Sequence, residues 1–290
     1  MASVTLRAFA KINLSLRVKD ERPDGFHEVQ TILQSIDLFD RVTCAARRGS
    51  FAVRCNAPGV PAGPANIVWK AAQELWTAAG RVGEPRDAVV TLAKQIPVQA
   101  GLGGGSSNAA AALLGLRRLW KLRVTDERLT EIAAGLGSDV PYFLIGGTAI
   151  GLGRGDEVYP LVDLPRLWVV LALPPFGVAT KDAYAWLHTK KGVRPFFLHV
   201  PAYKKKGLTP FLRGPLVNDL EAPVVARHPV IGQLTERLMG LGAEFAAMSG
   251  SGSTVFGVFL SSAAARAAAR QLKQSGVDVR RARFQPRRHP

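Results

Sequence analysis

Apolar residues fill every even position from Val4 to Val18 (Val4, Leu6, Ala8, Ala10, Ile12, Leu14, Leu16, Val18), and the odd positions between them are polar except Phe9. A period of two over that length predicts a strand, or two strands joined by a bend, with one face buried. On that reading Lys11 and Asn13 share the face opposite the core. Pro23-Asp24-Gly25 then marks a turn. Residues 65–79 predict a helix and 88–93 a short strand. Beyond a glycine-rich stretch at 101–105, residues 108–121 place Ala109, Ala112, Leu113, Leu116 and Trp120 on one helical face. Another helix fits 126–136, closed by Gly135 or Gly137. Residues 166–173 predict a buried strand, 263–273 a helix and 277–284 a strand. A boundary is expected near residue 160, giving domains 1–160 and 161–290 of mixed α/β and α+β character.

Composition narrows the class. With 47% hydrophobic and 21% charged residues over 290 positions, the chain can bury a core without staples. Its two cysteines, Cys44 and Cys55, exclude a disulfide framework and fit a reducing compartment. The first residues lack the apolar core of a signal peptide. The uncharged run 245–265 is broken by Gly250, Gly252, Gly257 and by Ser249, Ser251, Ser253, Ser261 and Ser262, which makes it a poor membrane span. The expectation is a soluble, cytoplasmic protein. His188, His199, His228 and His289 have no ligand spacing, so no structural zinc site is expected.

The net charge of +16 has two reservoirs. Lys190, Lys191, Arg194, Lys204, Lys205, Lys206 and Arg213 meet no acid between Asp182 and Asp219, and from Arg266 onward Asp278 is the one acid among many bases. A basic field attracts phosphates of any kind, or it serves solubility, so charge alone does not choose a substrate.

The sharpest signal is Pro97-Val98-Gln99-Ala100-Gly101-Leu102-Gly103-Gly104-Gly105-Ser106-Ser107-Asn108. Glycines let backbone N–H groups approach an anion, and the helix that follows offers unpaired N–H groups and the positive end of its dipole. Ser106 and Ser107 can cap that helix or contact a phosphate and its metal. The stretch lacks the lysine of a P-loop, and it has serine at 106 where a dinucleotide fingerprint needs glycine. It predicts a site for a polyphosphate, such as a nucleotide.

At this loop the chain resembles the GHMP kinases (galactokinase, homoserine kinase, mevalonate kinase and phosphomevalonate kinase). Three motifs stand in family order: Ala10-Lys11-Ile12-Asn13-Leu14, the loop at 97–108, and Met248-Ser249-Gly250-Ser251-Gly252-Ser253-Thr254-Val255-Phe256-Gly257. Pro23-Asp24-Gly25-Phe26-His27 and Gly137-Ser138-Asp139-Val140-Pro141 resemble the branch that phosphorylates a cytidine-diphosphate polyol in non-mevalonate isoprenoid synthesis. Another member, such as homoserine or mevalonate kinase, would share the loop but lack a cytosine clamp. The resemblance runs from residue 8 to 257. It implies an α+β two-domain GHMP kinase fold, with an N-terminal ATP-binding domain like the second domain of ribosomal protein S5 and a ferredoxin-like C-terminal domain.

The resemblance also implies roles. Asp139 would act as general base toward the acceptor hydroxyl, with Lys11 orienting that hydroxyl and neutralising charge on the transferred phosphoryl. Taken alone, Asp139 also reads as a helix N-cap and Lys11 as a solvated strand lysine. ATP is assigned to Pro97, Val98, Gln99, Ala100, Gly101, Leu102, Gly103, Gly104, Gly105, Ser106 and Ser107, with Asn66 near the adenine pocket. The polyol substrate is assigned to Asn13, Phe26, His27, Tyr184, Ser251 and Gly252. In that assignment Phe26 stacks on cytosine, His27 meets its polar edge and Tyr184 closes the opposite side. By composition, residues 250–253 form a second anion nest or a Ser/Gly hairpin turn. Mg²⁺ is expected with ATP, yet no Asp/Glu pair declares itself as its ligand; Ser107, water and phosphate oxygens are one way to complete the shell. The expected partners are ATP and the cytidine-diphosphate polyol, with no nucleic acid and no membrane, for a monomer or weak homodimer. The basic segment 187–214 reads as a solvated loop or as a steering surface for a diphosphate.

Overall fold

The alternation at the start of the chain folds as one uninterrupted strand, β1 (Ser3–Glu21), in the computed structural model, which describes residues 2–187 and 216–287. Its odd positions do not remain in solvent. Lys11, Asn13 and Ser15 are 4%, 4% and 0% exposed, as buried as Ile12 and Leu14. The expectation that only one face of β1 is covered is therefore corrected: both are, through its middle. Burial is tolerated because each polar side chain finds a partner, Lys11 in Asp139, Asn13 in Thr31 and Ser15 in the Val217 carbonyl.

Contacts divide the chain into two interleaved units. The first comprises Met1–Lys11, Asp37–Val98 and Gly103–Gly146; the second comprises Ile12–Ile36, Gln99–Leu102 and Gly147–Pro290. The position near residue 160 lies inside the second unit.

In the first unit the later half of β2 (His27–Ser50) pairs antiparallel with β4 (Arg86–Ala93), and β3 (Ala52–Cys55) lies parallel to β4. Four helices complete it: α1 (Ile67–Ala78), α2 (Gly104–Leu119), α3 (Asp126–Leu136) and α4 (Val140–Ile145). Helix α2 is buried over most of its surface, and its run Ala109, Ala110, Ala111, Ala112 lets it pack closely. Gly115 shows how closely, since a Cβ there would stand 2.7 Å from the Cys44 sulfur. Burial pushes the Cys44 thiol up to about 12, so it is an inert apolar group. Helix α2 begins at Gly104 rather than at 108. Gly103, in the left-handed region at φ 68°, ends the loop and frees Gly104 and Gly105 to be helical.

In the second unit the earlier half of β2 pairs antiparallel with β5 (Thr148–Leu152), and β5 with β6 (Glu157–Pro160). A separate four-stranded antiparallel sheet runs β10-β7-β9-β8, from β7 (Trp168–Leu173), β8 (Phe245–Met248), β9 (Val255–Phe259) and β10 (Asp278–Arg283). Val170, Val255 and Phe259 of this sheet share a core with Leu234 and Leu238 of α7 (Val230–Gly240) and Ala265 and Leu272 of α8 (Ser262–Gln274). Among the described residues the unit also contains two short helices, α5 (Thr180–Ala185) and α6 (Glu221–Val225). Residues 217–219 lie along β1: Leu16 N–H donates to the Val217 carbonyl at 2.8 Å, Asp219 N–H to the Leu16 carbonyl at 2.9 Å, and Val18 N–H to the Asp219 carboxylate at 2.9 Å.

No described helix is long and apolar enough to cross a membrane. Lys190, Lys191, Arg194, Lys204, Lys205, Lys206 and Arg213 of the basic segment lie outside the described residues, as do His188, His199, Arg288 and His289.

Candidate active site

In the first unit, β1 brings Lys11 to the start of α4, where its ammonium nitrogen lies 3.4 Å from Asp139 Oδ2. The lysine side chain is 5% exposed and the aspartate 37%, so the pair has one dry and one accessible member. Asp139 stands at the N-cap position of α4, but its side chain caps nothing, and a proline supports that helix start. The capping alternative therefore fails, and so does the solvated-lysine alternative.

Within this unit Gly103 has no room for a side chain. At Gly103 a Cβ would lie 2.6 Å from the Phe143 ring and 3.0 Å from Lys11 Cγ. With no side-chain cap at Gly103, the first-turn amides of Gly104, Gly105 and Ser106 have no helical acceptor and are suited to an anion. Ser107 N–H already donates to the Gly103 carbonyl at 2.9 Å. Ser106 and Ser107 thus lie inside the first turn and do not cap it, and Ser107 is 2% exposed.

Three residues that sequence reasoning did not assign sit behind this turn. The fully buried Asp40 of β2 accepts the N–H groups of Gln95 and Ile96 at 2.6 and 2.9 Å and Asn108 Nδ2 at 2.9 Å, and it pairs with the Lys94 ammonium. Lys94 also donates to Asn108 Oδ1 at 3.0 Å. The available signal was a carboxylate set directly after Leu38-Phe39 in an apolar segment.

In the second unit, residues 99–102 are strapped to the third motif. Ser249 Oγ donates to the Gly101 carbonyl at 2.9 Å, and Thr254 N–H to the Ala100 carbonyl at 3.3 Å. Gly101, at φ +73°, has no room for a side chain: a Cβ would run into the Ser249 carbonyl oxygen and stand 2.9 Å from that of Gly252. Ser251 Oγ lies 3.2 Å from Thr180 Oγ1. Two further unassigned residues hold this motif. Asn218 Nδ2 donates to the carbonyls of Met248 and Gly250, both at 2.8 Å, and the Glu221 carboxylate accepts Met248 N–H at 2.8 Å. Burial pushes the Glu221 carboxyl above its ordinary range. Asn13 is held by Thr31, its Nδ2 donating at 2.7 Å, and its N–H donates to Ser249 Oγ at 3.3 Å.

The aromatic candidates are also in the second unit. Asp24 accepts the Phe26 N–H at 3.1 Å, a bond that, ahead of the Arg22 charge, holds its carboxyl below the usual range. Phe26 is 49% exposed, with the Arg154 guanidinium 5.0 Å from its ring centre. His27 Nδ1 lies 3.2 Å from the Lys19 carbonyl oxygen, and its ring stacks on Tyr184 at 5.4 Å and 24°. Tyr184 therefore meets His27 as its ring partner. Asn66 is the N-cap of α1, accepting Val68 N–H at 2.8 Å and donating to the Pro61 carbonyl at 2.5 Å.

Among the described residues no group of three or more His, Cys, Asp or Glu side chains could hold a metal ion. Magnesium suits such a site only where phosphate oxygens and water supply most of its ligands, which is its usual habit beside a nucleotide.

Residues 66–147 match the GHMP kinases N terminal domain and residues 211–278 the GHMP kinases C terminal domain. The 4-diphosphocytidyl-2-C-methyl-D-erythritol kinase of Moorella thermoacetica is 41% identical over 282 residues, covering 95% of this chain and 96% of that protein. The enzyme of the same name from Geobacter sp. (strain M21) is 42% identical over 277 residues, with coverage of 95% and 96%. Among solved structures, a 4-(cytidine 5'-diphospho)-2C-methyl-D-erythritol kinase aligns with TM-score 0.80 at 32% identity, covering 97% of this chain and 99% of that one. A homoserine kinase from Cytophaga hutchinsonii aligns with TM-score 0.70 at 17% identity over 99% and 96%, a likeness of fold alone. With both domain models matched and such relatives along nearly its full length, the chain belongs to the GHMP kinase family, an ATP-using kinase of two mixed α/β domains.

Proposed function

We propose that the chain transfers the γ-phosphoryl group of ATP to the 2-hydroxyl of 4-diphosphocytidyl-2-C-methyl-D-erythritol, giving the 2-phosphate and ADP, in isoprenoid precursor synthesis. Its relatives at about two-fifths identity carry that activity in their names, which supports the choice of substrate. The observation that carries the mechanism is an Asp139 carboxylate relieved of capping and set 3.4 Å from a buried lysine.

The loop at 97–107 receives the triphosphate through the amides at the start of α2, with Asn66 near the adenine. The acceptor oxygen attacks the γ-phosphorus directly, without a phospho-enzyme. As the new O–P bond forms and the bond to the ADP oxygen breaks, Asp139 accepts the hydroxyl proton and Lys11 balances the charge on the phosphoryl oxygens. Magnesium, when bound, supplies further neutralisation across the phosphates, and Ser107 is the hydroxyl of this chain assigned beside it. Phe26 offers cytosine a face and His27 a polar edge, with Tyr184 supporting the His27 ring. Asn13, Ser251 and Gly252 contact the remainder of the substrate. In chain order residues 1–160 carry the ATP-binding domain and 161–290 the second domain, with 12–36, 99–102 and 147–160 packed in the second unit. The enzyme works in the cytoplasm as a monomer or weak homodimer, without nucleic acid or membrane.

The test is ATP consumption with the cytidine-diphosphate polyol, homoserine and mevalonate offered separately. Turnover of the first alone is expected. Preference for homoserine or mevalonate would reassign the enzyme within its family.

A further inference from the structure

We propose that Asp40, with Lys94 and Asn108, is a positioning residue for the nucleotide phosphates, fixing where the first turn of α2 stands. The inference rests on the reading of residues 97–107 as the ATP loop. One carboxylate gathers three segments here. Its Oδ1 takes the amides of Gln95 and Ile96, on the chain running from β4 toward the loop; its Oδ2 takes Asn108 of α2 and the ammonium of Lys94. An ionised carboxylate has about four lone-pair sites, and four donors arrive.

Helix α2 sits on this network without slack. A Cβ at Gly104 would stand 2.9 Å from Ile96 Cγ2 and 3.2 Å from Lys94 Nζ. The Lys94 side chain is itself 8% exposed and shares its protons between Asp40 and Asn108.

Stability does not explain the charges. The cost of desolvating a buried ion pair offsets most of its attraction, and well-packed apolar replacements are often as stable. What charged and hydrogen-bonded groups add is direction. The amides of Gly104, Gly105 and Ser106 must meet phosphate oxygens in hydrogen-bonding geometry, and a misplacement of about 1 Å in such a group costs on the order of 10²-fold. Neutrality matters as well: a lone carboxylate at this place would oppose the positive end of the α2 dipole, and Lys94 cancels it.

The test uses two variants. Asp40→Asn keeps an oxygen for Gln95 and Ile96 but turns a donor toward Lys94 and Asn108. Asp40→Asn/Lys94→Met restores charge balance without restoring the network. In both, KM for ATP is expected to rise about 10-fold while KM for the cytidine-diphosphate polyol stays within about twofold, a split that general loss of fold does not produce. The double variant should also regain most of the melting temperature lost by the single one. The proposal is overturned by a folded double variant with unchanged KM for ATP, by an equal rise in both KM values, or by failure of both variants to fold. Wild-type protein that neither binds nor consumes ATP would instead remove the proposed function.

Discussion

A side chain at Gly101, Gly103 or Gly104 would strike carbonyl oxygens, the Phe143 ring or Ile96, whereas Gly25, in the turn that presents Phe26, has open space where its Cβ would stand. The glycine-rich loop, proposed to hold the triphosphate, is defined by main chain packed against its neighbours. The aromatic turn is defined by rings, one of them about half exposed. Recognition by N–H groups needs narrow geometry, because hydrogen bonds weaken steeply off angle. A ring face tolerates sliding, because stacking depends on area more than on direction. Damage to the loop region should therefore appear in kcat and in KM for ATP, and damage to the turn region in KM for the cytidine substrate.

The steepest test of that contrast is Asp139→Asn, for which kcat is expected to fall by about 10²-fold or more with KM for the cytidine substrate nearly unchanged. Steady-state kinetics with less than a tenfold loss would deny the carboxylate its role. Gly101→Ala comes next: overpacking should remove about 1–3 kcal/mol of stability. Gly105→Ala, with nothing within 4 Å of its Cβ position, should keep its stability or gain up to about 1 kcal/mol. Denaturation curves that coincide for the two would contradict a loop defined by close approach. On the aromatic side, Tyr184→Ala should raise KM for the cytidine substrate about 3- to 10-fold and leave kcat nearly intact. A fall in kcat at constant KM would reverse the contrast.

The smallest effect concerns Glu221, which braces the third motif through Met248. Burial raises its carboxyl in the fold above the 4.5 of an ordinary glutamate, so the native state holds a proton that the unfolded chain releases. Its contribution is greatest below pH 4.5 and declines as pH rises toward the raised value. Stability of Glu221→Gln, followed by chemical denaturation across that range, should lack this decline. A wild-type slope of the opposite sign would mean that the carboxylate is stabilised by its hydrogen bonds more than it is penalised by burial.

The elements legible in the sequence are those whose apolar positions keep a single period. Residues 4–18 alternate, and the helices expected at 65–79, 126–136 and 263–273 form at Ile67–Ala78, Asp126–Leu136 and Ser262–Gln274. Strand β2, covered on both faces like the middle of β1, carries no such period. Ile32 and Leu33 are buried side by side, while Thr31, Gln34, Ser35 and Asp40 are buried polar residues, so no period of two survives. The close backbone packing at Gly101 and Gly103 was legible because glycine composition states a backbone requirement outright. Asp40, Asn218 and Glu221 were not, since their importance lies in main-chain atoms distant in sequence. Tyr184 is a site candidate by resemblance alone, and its stacking on His27 is visible only in the fold.

The short stretch 217–219 beside β1 has a consequence for behaviour in a crowded solution. Residue 16 has both its N–H and its carbonyl satisfied there, and Val18 hands its N–H to a carboxylate. Unguarded strand margins recruit other molecules by adding a strand to the sheet, a common route to aggregates. A proteolytic nick that released this cover would expose such a margin, and the nicked protein would then be lost first to self-association.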